Sequence, residues 1–370
     1  MIKLAHLNYY YHNEFTHPDE VIEKHKLSSG FVEFLKKYVY LVSIKHLDYE
    51  GEETISGVHY YFLRSSNRSW YIPFKTHRLL KGERPDVVLS EGFVYPLRIL
   101  FLRLKLGRKP VIILQHQGEK PAHGIGGRLQ KFADKYIDAY ILTSLGNAED
   151  WISRGIIRDK GKCYEVLSAS TSFTPKDKAA SKLKLGFTGE HNFLWVGRLN
   201  ANKDPLTVLQ AFEQFAKTND QAKLYMVYQT TDLLNEVRDM IDRSGALQRA
   251  IILVGEKAHE ELTDWFDASD FYISASHSEG SGYALVEAMT CGCIPVVTNI
   301  PSFNKMTSGG KYGFLYEPAN VDQLVEILQG LDAVNKQELS VEIIHFARSE
   351  FSFQNIANQI LNVAKTLLNK

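Results

Sequence analysis

The stretch from His277 to Val297 reads HSEGSGYALVEAMTCGCIPVV. Just before it, FYISAS alternates in a β-prone way, YALVEAMTC repeats its apolar residues at helical spacing, and CIPVVTNI is a buried-strand run. The segment therefore reads as strand, glycine turn, helix, strand, with Glu279 on the turn and Glu287 inside the helix that follows. In open α/β sheets, loops of this kind at the carboxyl ends of strands are where ligands bind.

Working outward, similar strands recur along the chain. FLWVGRL, KLYMVYQ, AIILVGE and DFYISAS precede CIPVVTNI, separated by helical runs such as DPLTVLQAFEQFAKT and EELTDWFDAS. An earlier series, KLAHLNYY, VYLVSIKHL, PDVVLSEGF, KPVIILQHQG, DAYILTS and KCYEVLSAS, alternates with YPLRILFLRLKLG, GRLQKFADKYI and NAEDWISRGI. Alternation of this kind predicts a mostly parallel, doubly wound sheet in each half, two Rossmann-like domains in tandem. EETISGVHYYFLRSS is expected to be an antiparallel excursion, and the Lys-rich stretch over residues 174–192 to be the boundary. The expected domains are 1–180, 190–350 and a closing helix over 351–370.

A chain of 370 residues with 44% hydrophobic residues can bury a large core. Lys plus Arg and Asp plus Glu both number 43, so bulk charge does not point to nucleic acid or an acidic partner. Cys163, Cys291 and Cys293 lack metal-ligand spacing and are expected to be small buried hydrophobes in a reducing compartment. No metal site is predicted. The start lacks a signal peptide's basic and apolar segments, and no run is long enough to span a bilayer, so a soluble cytoplasmic protein is expected.

The turn Gly280-Ser281-Gly282 offers free backbone N–H groups at the start of a helix, whose dipole favours an anion there. A carboxylate beside such a site repels phosphate directly but can accept hydrogen bonds from the hydroxyls of an attached sugar, the reading for Glu279. Glu287, two turns into the helix, could meet a second hydroxyl-bearing group such as a ribose. Each glutamate alone is equally accounted for by the helix dipole without any ligand. VGRLNANKD adds the missing cations: Arg198 follows Gly197 at a strand end, and Lys203 precedes a helix. A planar guanidinium and a mobile ammonium at one sheet edge can hold one diphosphate.

These segments, with GCIPVVTNIPSF and YGFLYEP, resemble the donor domain of family 4 glycosyltransferases, which have the GT-B fold. The resemblance implies two Rossmann-like domains facing a cleft, the C-terminal helices packing back on the N-domain. It implies that Arg198 and Lys203 hold the donor diphosphate, Glu279 binds sugar hydroxyls, Glu287 binds the ribose, and the main chain of Gly280 to Tyr283 lines the sugar and phosphates. It further implies a retaining, metal-independent transfer without a cofactor. It implies a nucleotide-diphosphate sugar as donor and a sugar, lipid-linked or small molecule as acceptor. His116, at the end of VIILQHQG, stands where many members have a histidine facing sugar and acceptor. The chain differs at its start, where LNYYYHNEF replaces a Gly-rich loop, at SAST, where Asn-Gly is usual, and at Ser281, where phenylalanine is common.

Two features have ordinary readings. GIGGRL, residues 124–129, is expected to be a loop with a helix start rather than a phosphate loop. The helix with Arg98, Arg103, Lys105, Arg108 and Lys109 reads as a solvated face, with peripheral contact to anionic lipid at the inner membrane face as the alternative. The competing functional classes are a nicotinamide-dependent oxidoreductase, a non-catalytic sugar-nucleotide binder and a sugar-nucleotide epimerase. Against the first, the third fingerprint position after Gly280 and Gly282 is Leu285 rather than Gly or Ala, and the motif lies late in the domain rather than after its first strand.

Overall fold

The computed structural model describes residues 1–369. In chain order its first elements are β1 (Lys3–His12), α1 (Pro18–Lys24), α2 (Lys26–Ser29), α3 (Val32–Leu35), β2 (Tyr40–Leu47), β3 (Gly51–Ile55), β4 (Val58–Leu63) and α4 (Phe74–Glu83). Then come β5 (Val87–Glu91), α5 (Pro96–Leu106), β6 (Val111–Gln115), α6 (Gly124–Ala133), β7 (Ala139–Leu142), α7 (Glu149–Ser153) and β8 (Cys163–Glu165). The second series runs α8 (Lys178–Leu185), β9 (His191–Gly197), α9 (Pro205–Ala216), β10 (Ala222–Tyr228), α10 (Leu234–Asp242), α11 (Gly245–Ala250), β11 (Ile251–Gly255) and α12 (Leu262–Ala268). It continues with β12 (Phe271–Ser274), α13 (Tyr283–Thr290), β13 (Ile294–Thr298), α14 (Pro301–Met306), β14 (Phe314–Tyr316), α15 (Val321–Gly330) and α16 (Lys336–Glu350), and α17 (Phe353–Leu368) closes the chain.

Two compact units result: residues 1–170 with 352–370, and residues 171–351. The first holds an eight-stranded sheet in the order β3-β4-β2-β1-β5-β6-β7-β8. All its neighbours are parallel except β3 with β4, where Ser56 and Gly57 turn the chain at φ +48° and +74°, the left-handed pair a tight hairpin requires. The expected excursion is thus half right, because β4 itself runs parallel to β2. One face of the sheet packs on α1 to α3 and α17, the other on α4 to α7. In α17, Ile356, Ile360 and Ala364 recur every fourth residue and are buried against Phe31, Val32 and Leu35, each large apolar side chain contributing about 2 kcal/mol.

The second sheet, β11-β10-β9-β12-β13-β14, is entirely parallel among the described residues. Counted within the unit its order is 3-2-1-4-5-6, the doubly wound arrangement in which connections leave in opposite directions from two central strands. Here those strands are β9 and β12, so the crevice at their carboxyl ends is the ligand position the topology provides.

Several expectations are corrected. The Lys-rich stretch is not a linker: it forms α8 inside the second unit, and the division falls at residue 170. Its charge is drawn in by Asp264, which pairs with Lys176 at 2.7 Å and Lys184 at 2.5 Å, and by Asp270, which pairs with Lys178 at 2.7 Å. Arg98 and Arg103 do not belong to a solvated face. Arg98 is fully buried, donates to the carbonyls of Tyr9 and Ser66, and lies over the Tyr95 ring. Arg103 spans the carbonyls of Tyr136 and Pro110 and the Asp138 carboxylate. Two guanidiniums on one helix staple loops to it because each has five donors to distribute. GIGGRL opens α6, and a Cβ at Gly127 would come within 2.5 Å of the Ala122 carbonyl, so that glycine serves close packing. The three cysteines are free thiols; Cys291 and Cys293 are buried and Cys163 half-buried, with burial pushing the Cys163 thiol up to about 11.

Candidate functional site

The loop after β9 is a compact hydrogen-bonded turn. The Asn200 side chain and carbonyl both accept from the Lys203 backbone N–H, and the same carbonyl accepts from Asp204 N–H. Asp204 then caps α9 by accepting from Thr207 N–H, with Pro205 at the first helical position. Asp204 holds φ +41°, a left-handed conformation unusual for a residue with a Cβ, and aims Lys203 back across the crevice. The stem of Lys203 runs along Gly197, where an added Cβ would lie 3.6 Å from Lys203 Cδ.

The loop after β12 meets this turn from the neighbouring strand. His277 N–H donates to Asn202 O at 2.8 Å, Asn202 Nδ2 donates to Ser278 O at 3.0 Å, and His277 Nε2 lies 3.1 Å from Asp204 Oδ2. Ser302 Oγ anchors the Glu279 carbonyl at 2.8 Å. Lys203 Nζ reaches Glu279 Oε1 at 2.5 Å, so the two side chains expected to hold separate parts of a ligand hold each other. Arg198 is exposed, and its guanidinium makes no hydrogen bond or ion pair among the described residues.

Gly282 caps α13 at φ +58°, and a Cβ there would meet the Phe303 ring at 3.1 Å and Met306 Sδ at 3.2 Å. Glycine is required twice over, by backbone conformation and by space. It brings the first N–H groups of α13 to the crevice beside Gly280 and buried Ser281.

Glu287 is buried on α13 and bonded at 2.6 Å to Nε2 of His259, which follows β11 and stacks on Phe173 with ring centroids 4.8 Å apart. Burial raises the Glu287 carboxyl above its ordinary value, and the bond from His259 works against that rise. The sequence reading missed His259, His277, Asp204 and Asn202. Asn202 and Asp204 lie within VGRLNANKD and His277 opens the HSEGSG stretch, but their mutual contacts, and that of His259 with Glu287, arise only through the strand order that sets their loops beside the glutamates.

His116 belongs to the first unit, at the end of β6. Its ring is buried between Phe93 and Trp151, Nε2 donates to the Glu119 carbonyl at 2.9 Å, and Nδ1 is buried without a partner. Among the described residues no group of three or more His, Cys, Asp or Glu is placed to hold a metal ion, and no helix is long and apolar enough to cross a membrane.

Residues 177–349 match the family described as glycosyl transferases group 1. The match falls within the second unit and spans nearly all of it, and the chain has the two-domain GT-B fold of its structural relatives. An alpha-monoglucosyldiacylglycerol synthase of Streptococcus pneumoniae is 29% identical over 171 residues, 45% of this chain and 38% of the relative. The chain spans about two fifths of the length of the curated relatives it matches. Among solved structures, a glycosyltransferase from Rickettsia africae superposes with a TM-score of 0.74 at 16% identity, covering 100% of this chain and 99% of the other. Anabaena HepE in complex with UDP-glucose gives 0.70 at 15% identity, covering 100% of both.

Proposed function

We propose that the protein transfers a glycosyl group from a nucleotide-diphosphate sugar to a hydroxyl acceptor with retention of anomeric configuration and without a metal ion. The observation that carries this reading is the crevice between β9 and β12, where unpartnered Arg198 and the Lys203–Glu279 pair stand beside the N-terminus of α13. Arg198 and Lys203 bind the diphosphate and stabilise the charge that grows on it as the bond to the anomeric carbon breaks. Helix N–H groups near Gly280, Ser281 and Gly282 add to that field. Glu279 fixes the Lys203 ammonium with one oxygen and orients sugar hydroxyls with the remaining acceptor capacity. Glu287 and His259 receive the ribose. The acceptor oxygen bonds to the anomeric carbon on the face the diphosphate leaves, and its proton passes to the departing phosphate oxygen. His116, with one buried ring nitrogen unpaired, is assigned to the acceptor side.

Thermal melting of the purified chain with UDP-, GDP- and ADP-sugars tests this, with NAD and NADP as controls. A nucleotide sugar at 100 times its Kd is expected to stabilise by about 2.7 kcal/mol, and the shift is expected to vanish in Arg198→Ala. That variant should fold normally and lose turnover by about 10²- to 10³-fold. Turnover should survive EDTA, and the product anomer, read by NMR, should match the donor's. Stabilisation by a dinucleotide alone would overturn the assignment.

A further inference from the structure

We propose that the outer face of α4, α5 and α6 is a docking surface for an anionic lipid bilayer. The three helices form one layer of the first unit, with α5 packed between the other two. Inward positions of α5, including Ile99, Leu102 and the two structural arginines, are buried. Outward positions follow helical spacing through Phe101, Leu104, Lys105 and, just past the helix end, Arg108.

Large apolar side chains on this face stand in solvent: Leu104 is 76% exposed, Ile125 77%, Phe74 63% and Phe132 46%. The Phe74 and Phe101 rings touch across α4 and α5 with centroids 6.1 Å apart, so the apolar surface is shared between helices. Isolated exposed hydrophobes are ordinary, but a group of them across three adjacent helices marks an interaction site.

Charge on the same layer is one-sided. The helices carry eight Lys and Arg residues and one acid, in a chain whose charges as a whole balance at 43 to 43. The acid, Glu83, is half-buried and bound to Lys3 and Tyr61. Of the cations, Arg98 and Arg103 are buried and Lys75 is paired with Glu50 at 2.6 Å. Arg78, Lys81, Lys105, Arg128 and Lys131 remain exposed. Exposed carboxylates at its border, Glu50 and Asp138, are paired with Lys75 and Arg103. Phe and Leu interleaved with Lys and Arg, without exposed acids on the helices themselves, is the composition that inserts into the headgroup boundary of anionic lipid. A soluble polyanion such as nucleic acid would use the cations and leave Leu104 and Ile125 unexplained.

The test is co-sedimentation of the full chain with vesicles of equimolar phosphatidylglycerol and phosphatidylcholine, and with phosphatidylcholine alone. Binding is expected only to the anionic vesicles and should weaken in high salt. The triple variant Lys105→Glu, Arg128→Glu, Lys131→Glu should bind about a hundred-fold more weakly, at roughly five-fold per cation. Leu104→Asp with Ile125→Asp should lower binding about ten-fold by removing the inserted apolar surface. All these positions face solvent, so melting temperature and stabilisation by the nucleotide sugar should be retained, which separates loss of the lipid surface from loss of the donor site. Equal binding to neutral vesicles, unchanged binding in both variants, retention on heparin without vesicle binding, or dimerisation that Leu104→Asp abolishes without vesicle binding would each overturn the proposal.

Discussion

The two sheets differ in strand number and edge pairing, but each has two central strands from which its connections diverge, and they use the crevice there in opposite ways. In the first unit the central strands are β1 and β5, whose ends align Asn8 with Glu91. Glu91 is buried there, accepting from Asn8 at 2.6 Å and Ser29 at 2.9 Å and contacting His6 Nε2 at 2.8 Å and Lys45 at 3.5 Å. Burial opposes its ionisation, yet the Lys45 ammonium and the His6 contact together hold the carboxyl well below the usual range. In the second unit the equivalent strand ends carry Gly197 and a glycine turn, with Arg198 left exposed. A buried side-chain network fills one crevice; glycine, an unpaired cation and the Lys203–Glu279 pair line the other, where the donor is proposed to bind. Topology supplies the position, and side-chain size at the strand ends decides who occupies it.

The largest effect is expected from breaking the filled crevice. Glu91→Gln leaves Lys45 buried without its counter-charge and should cost about 3–5 kcal/mol in urea unfolding, while stabilisation by the nucleotide sugar persists. Unchanged stability would mean the network is not what holds the strand ends together. In the open crevice the donor response should fall along with stability: Gly282→Ala forces a Cβ into a left-handed conformation against Phe303 and Met306. A loss of about 2 kcal/mol is expected, with donor stabilisation reduced because the first helical N–H groups shift.

The smallest effect, and the sharpest contrast, is with pH. Burial holds His46 and His77 down to about 4 from an ordinary 6.5, so the unfolded chain binds more protons than the folded one between those values. Their contribution to the first unit's stability is present above 6.5 and is lost as pH falls toward 4. Burial raises Asp267 to about 6 from 3.8, so here the folded chain binds more protons, and stability is lost as pH rises through 6. Urea midpoints at pH 7 and pH 5 should therefore move in opposite directions for these groups, and Asp267→Asn should abolish the second trend alone.

Much of this was legible in the sequence because the relevant signals are local. Apolar runs at strand and helix periods marked both Rossmann-like halves, and the EGSG turn with its glutamates is a contiguous motif whose backbone demands glycine. The short strand β14 and helix α14 were less legible, being three and six residues long, too short for periodicity to register. Arg98 and Arg103 were misread for another reason: most of their partners are backbone carbonyls, which leave no pattern in sequence, and the one carboxylate, Asp138, lies 35 residues on from Arg103. The Lys-rich stretch looked like a boundary because Asp264 and Asp270, which pair with its lysines, lie about eighty to ninety residues away.

By itself the sequence determined the class of fold, the strand that carries each candidate residue, and the chemistry of a cation, a carboxylate and a glycine turn in the second half. Only the tertiary structure decided that Lys203 is held by Glu279, that Glu287 is held by His259, and that the first crevice is closed by its own network. Those outcomes depend on which strands become neighbours. Strand order is a property of long-range pairing, and no local run of residues encodes it.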